Sequence, residues 1–69
     1  MTVATVTHEA GWSWLDHDNK RRPFAYLMPL GQPRDVLAIE CRNWWSALAV
    51  SLELARGQDA CEYVGGPTA

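Results

Sequence analysis

From Asn43 to Gly57 the chain carries a helical pattern that is apolar on two separate sides, and this limits its possible folds more than any other feature. Asn43 is a good N-cap. Gly57 suits the position just past a C-terminus, and Arg56 places a cation where the helix dipole favours one. Val50 is the only β-branched residue between them. At 100° per residue from Trp44, Ala55, Leu48, Leu52, Trp45 and Ala49 fall between about 20° and 140°, a stripe wide enough to cover a small sheet. Ala47, Val50 and Leu54 fall between about 240° and 300°, on another side. A surface helix in a single small domain has one sheet to lie against, so the side bearing Ala47, Val50 and Leu54 is expected to meet something else. The candidates are a second copy, a partner protein, or the chain's own end folding back through Cys61, Tyr63 and Val64.

The rest of the chain is too short to offer a second interior. It has 69 residues, 48% of them apolar, which is one domain and not a disordered chain. Trp12 and Trp14 alternate with Ser13, and Phe24, Tyr26 and Met28 alternate with Ala25 and Leu27. Both runs read as strands, joined by a turn in Asp16-His17-Asp18-Asn19-Lys20. Pro23 belongs at a strand start or on an edge, because it has no N–H for a ladder. Pro29 to Pro33, with Gly31 between, interrupts regular structure. Leu37, Ile39 and Cys41 alternate with Ala38, Glu40 and Arg42, the pattern of a third strand, although residues 35–42 also fit the beginning of a long helix. The expected fold is α+β: a small antiparallel β-meander of two or three strands followed by one C-terminal helix. Residues 1–64 form the domain and 65–69 a loose tail.

Little in the sequence points to catalysis. Nucleotide-type glycine spacings and a Gly-x-Ser-x-Gly elbow are both missing, and a chain this short has little room for a walled cofactor pocket of about 300–1,000 Å³. Asp16 and Asp18 read as turn formers, and Cys41, alternating with Leu37 and Ile39, as an inert buried thiol despite His8 and His17 elsewhere. His8, His17, Cys41 and Cys61 are the right ligand types for zinc, but without Cys-x-x-Cys or His-x₃₋₅-His spacing they would have to meet through the fold. A Cys41–Cys61 disulfide is the other use for the cysteines. An enzyme, a cofactor and a resident metal are therefore not expected. No basic leader precedes an apolar core and no run is long enough for a membrane span, so the expected site of action is the cytoplasm, with no membrane partner.

What remains is binding. The net charge of −2 and a pI near 5.5 argue against a nucleic-acid face, although the first half is the more basic. Residues 1–34 hold four Lys or Arg against three Asp or Glu, and residues 35–69 hold two against five. Four tryptophans are many for this length; two are expected to fill the core and at least one to anchor an interface. The expected function is a small protein-binding module, an inhibitor or adaptor that blocks a surface of a larger host protein. Phages and mobile elements encode many such objects. The expected contact residues are Trp12, Trp14, Arg21, Arg22 and Tyr26 on the hairpin, with Ala47, Val50 and Leu54 on the helix, and a homodimer is also expected. The first alternative is nucleic-acid binding, with Lys20, Arg21, Arg22 and Arg34 on phosphates and Trp12 or Trp14 stacked on a base. The second is a small zinc-binding domain.

Overall fold

A computed structural model describes residues 5–67. Strands β1 (His8–His17) and β2 (Lys20–Pro29) form the hairpin, paired from His8↔Pro29 to His17↔Lys20. The polar run 16–20 contracts to a two-residue turn: Asp18 and Asn19 both have positive φ, 53° and 62°, as a tight type I′ connection requires. A 3-10 turn at Pro33–Asp35 leads into β3 (Leu37–Glu40), so residues 37–40 are strand and do not begin a helix. Helix α1 (Trp44–Arg56) starts where Asn43 accepts a 2.9 Å hydrogen bond from the Ser46 N–H. Gly57 ends it with right-handed backbone (φ −74°), so the left-handed freedom of glycine is not used there.

The chain departs from the expected meander after the helix. Cys61–Gly65 forms a fourth strand, β4, which pairs with β1 in parallel and gives the sheet order β3-β2-β1-β4. The domain is α+β, but its sheet is mixed and four-stranded, and its helix lies between strands instead of at the C-terminal end. Parallel strands need a long crossover, and α1 supplies about 20 Å of it, carrying the chain from one sheet edge to the other. Gly65, expected in the tail, closes β4 with φ 73°, opposite Gly11 at a shift in register. Of the remaining tail, Thr68 and Ala69 lie outside the described residues.

Pro23 stands inside a central strand, not at its start. The Cys41 N–H donates to the Pro23 carbonyl at 2.9 Å, just past the end of β3. The missing proline N–H thus falls at the last rung of the β2–β3 ladder, where it removes only one bond from the end of the pairing.

Residues facing each other across the ladders share a face, which places Ala10, Trp12, Trp14, Pro23, Ala25, Leu37, Ile39 and Tyr63 on one side. The helix covers that side over β1, β2 and β4. Its sealed line is Ala47 and Ser51, with Ala10 and Ala25 sealed on the strands. Ser51 donates to the Leu48 carbonyl (2.7 Å) and shares a 2.9 Å hydrogen bond with the Tyr63 hydroxyl. The helix is therefore rotated from the expected orientation, with Leu48 and Ala55 of the expected stripe half-buried beside the sealed line. Ala47 is fully buried, Val50 and Leu54 are half-buried, and Trp45, Ala49 and Leu52 face outward. The reason is size: Ala47, Ser51 and Ala55 recur every four residues, and a row of small side chains lets the helix approach the sheet closely.

Candidate protein-binding surface

The four tryptophans form a continuous row on the helix side of the sheet. Trp14 meets Trp12 edge-on at 5.4 Å between ring centres, Trp12 stacks with Trp44 at 6.1 Å, and Trp44 stacks with Trp45 at 3.7 Å. Alternation along β1 puts Trp12 and Trp14 on one face, and the N-terminal turn of α1 lies over it, which brings strand rings and helix rings together. From Trp12 outward exposure grows: Trp12 is buried, Trp44 is 38% exposed and Trp45 is 65% exposed. At the hairpin end the Arg21 guanidinium lies 5.0 Å from the Trp14 ring centre, within cation–π range, and 3.9 Å from Asp16.

Beyond Trp45 the apolar surface continues along α1. Trp45, Ala49 and Leu52 are all exposed at spacings of four and three residues, and Arg56 follows on the same stripe. Gly66 passes the inner part of the row, against Trp12. A side chain on Gly66 would collide with the Trp12 indole, so only glycine lets the chain run so close to that ring.

Among the described residues, no helix covers the opposite face of the sheet. Leu15, Phe24, Tyr26, Met28 and Val64 lie on it, with Phe24 and Tyr26 6.1 Å apart. The Tyr26 hydroxyl donates to Glu9 Oε2 at 3.2 Å. Burial, then the Glu9 carboxylate, raises the Tyr26 pKa above that of an ordinary phenol. Arg22 is held by Glu40 at 2.6 Å.

The expected contact residues do not form one patch. Trp12, Trp14 and Arg21 lie on the helix side, and Arg22 and Tyr26 on the open face. Ala47 is sealed in the interior, with Val50 and Leu54 half-covered beside it. On the helix, Trp45, Leu52 and Trp44 are the exposed large apolar side chains instead. Hydrophobic angle alone could not tell the two helix sides apart; the four-residue recurrence of Ala47, Ser51 and Ala55 was the available signal.

The cysteines and histidines do not converge. Among the described residues no three His, Cys, Asp or Glu side chains are grouped to hold a metal ion. Cys41 follows β3 and Cys61 opens β4, at opposite edges of the sheet. Three strand spacings amount to about 14 Å, twice the Cα separation a disulfide tolerates. Both thiols are free, and burial and then Glu9 raise the pKa of Cys61, which keeps it a neutral, poor nucleophile.

No family model, curated protein or solved structure matches the chain. No helix among the described residues is long and apolar enough to cross a membrane.

Proposed function

We propose that this chain is a small protein-binding module, an inhibitor or adaptor that acts in the cytoplasm by covering a surface of a larger host protein. The observation that carries this reading is the inverted use of side-chain size. The interior is sealed by Ala10, Ala25, Ala47 and Ser51 with Trp12 as its one buried large ring, while Trp44, Trp45 and Leu52 remain exposed on one continuous strip. Large apolar side chains left in water are costly in a domain of this size, and aromatic residues rimmed by arginine are the usual anchors of protein interfaces. Here Arg21 stands at one end of the strip and Arg56 at the other. The working anchors are Trp45, Trp44 and Leu52, supported by Trp14 and Arg21.

The basic residues support a protein partner better than a nucleic acid. Arg21 and Arg22 project to opposite faces, and each is beside a carboxylate, Asp16 and Glu40 respectively. The phage or mobile-element origin expected for such a blocker is part of the same proposal and rests on the class of object, not on these residues.

The test is affinity capture from the native host with the wild-type chain and with Trp45→Ser and Leu52→Asp variants shown to be folded by circular dichroism. A partner captured by the wild type and lost in both variants is expected, with weak dependence on added salt. Equal capture by all three removes the strip from the reading. Capture that collapses steeply with salt, together with bound nucleic acid, overturns it.

A further inference from the structure

The two edges of the sheet are finished differently. On β4 the register shifts between Ala10 and Gly11, Gly65 takes a positive φ, and Gly66-Pro67 follows at once. Bulges and prolines of this kind discourage a further strand from pairing. On β3 neither a bulge nor a proline is present: Leu37–Glu40 pairs with β2 without a break, and only its shortness limits a further pairing. Its one charge, Glu40, is held by Arg22 at 2.6 Å.

The hydrogen-bond register shows which backbone groups are free. Cys41 turns its N–H to the Pro23 carbonyl on β2. By the alternation of antiparallel ladders, Ile39 and Leu37 also turn inward, so the N–H and C=O of Ala38 and Glu40 point away from the sheet. No described strand takes them. On the helix side, Leu37 (47%) and Ile39 (37%) are exposed, because α1 lies over the other three strands.

We propose that a second copy of this chain pairs with β3, antiparallel and about a two-fold axis at Ala38, to make one continuous eight-stranded sheet. That register is self-complementary. Ala38 faces Ala38 of the second copy and the two exchange both backbone hydrogen bonds. Leu37 faces Ile39 of the second copy, and Ile39 faces its Leu37, so four uncovered apolar side chains meet on the helix side. Glu40 faces Val36 of the second copy, so no like charges oppose each other. The Trp45 strip is a separate surface, so a dimer remains free to carry out the function proposed above. A contact through four-residue strands is small, and its dimer is correspondingly weak.

The test uses sedimentation velocity of the full chain across a wide concentration range. The wild type is expected to pass from monomer to dimer. Ala38→Pro removes an N–H that points outward, leaves the β3–β2 bonds intact, and is expected to weaken the dimer at least about tenfold. Trp45→Ser is expected to leave the dimer unchanged, which separates this proposal from the strip. A second measurement fixes the register and does not depend on the proline variant folding. Ala38→Cys in a Cys41→Ser, Cys61→Ser background is expected to cross-link under mild oxidation, since paired Cα atoms there lie about 5.5 Å apart. Glu53→Cys in the same background is expected not to. A wild type that stays monomeric at all concentrations overturns the proposal. So does a dimer that fails to cross-link through position 38, or an edge shown to take a strand from a different protein.

Discussion

Midway along α1, Ala47 and Ser51 are sealed with Ala10 and Ala25 of the strands; at its N-terminal turn, Trp44 and Trp45 continue a row of rings that ends in solvent. Both regions lie between the same helix and the same sheet. In the first, small side chains bring two backbones close, and the contact tolerates almost no added volume. In the second, large rings stack on one another and leave apolar area uncovered. Bulk and burial are therefore decoupled in this domain. Two of the four side chains with the most area to hide, Trp44 and Trp45, are left available to a partner.

The hardest blow to that comparison comes from reversing size in the sealed region. Ala47→Leu is expected to cost about 1–3 kcal/mol through overpacking, a large share of the few kcal/mol available to so small a domain. Trp45→Ala deletes far more volume, yet its ring is mostly in water and its stacking with Trp44 is worth about 0.5–1.5 kcal/mol. Urea unfolding of both variants decides the matter. A greater loss for Trp45→Ala would show that the rings, and not the small residues, hold the helix to the sheet.

Gly66 tests the inner end of the ring row. Gly66→Ala places a methyl on the Trp12 indole, so either the segment after β4 or the ring must move. A loss of about 1–2 kcal/mol is expected, with a shift in tryptophan fluorescence. An unchanged spectrum would mean that this segment does not rest on Trp12. Ser51→Ala probes the one polar group in the sealed line, whose hydroxyl meets Tyr63 at 2.9 Å. Its loss is expected to cost about 1 kcal/mol, and a Tyr63→Phe, Ser51→Ala double variant to recover part of that, because no unpaired hydroxyl remains.

The local elements were legible from the residues that build them. Two adjacent positions that accept positive φ, Asp18 and Asn19, announced the hairpin, and Asn43 announced the helix start. Leu37 and Ile39 showed the alternation of β3, although the competing helix could be dismissed only once Pro33–Asp35 closed a 3-10 turn ahead of it. What was not legible was non-local. Cys61 to Gly65 makes a strand because the helix delivers it beside β1, and a parallel pairing across a crossover leaves no short-range signature. The candidate surface was half legible for a related reason. Trp14 and Arg21 were expected on one surface and lie 5.0 Å apart, but the choice between two apolar helix sides depended on Ala10 and Ala25 in distant strands. The same dependence divided Arg21 from Arg22: a period of two sends neighbours to opposite faces, and only pairing shows which face the helix takes.

The smallest expected effect belongs to the open face, where neither close packing nor ring stacking by the helix operates. Tyr26 is held there by its hydrogen bond to Glu9, and burial followed by the Glu9 charge raises its pKa from the ordinary value of 10.0. A raised phenol pKa means that the folded state holds the proton more tightly than the unfolded chain. The resulting stabilisation is complete below pH 10.0 and is lost as pH climbs through the higher folded value. Stability measured by urea unfolding should therefore fall on the alkaline side, and Tyr26→Phe should flatten that part of the profile while leaving neutral pH nearly unchanged. If the phenylalanine variant keeps the full alkaline slope, the proton is being held elsewhere. Tyr26 would then be no more tied to its face than Trp45 is to the helix, and the open face would join the ring row as surface shaped for contact instead of for stability.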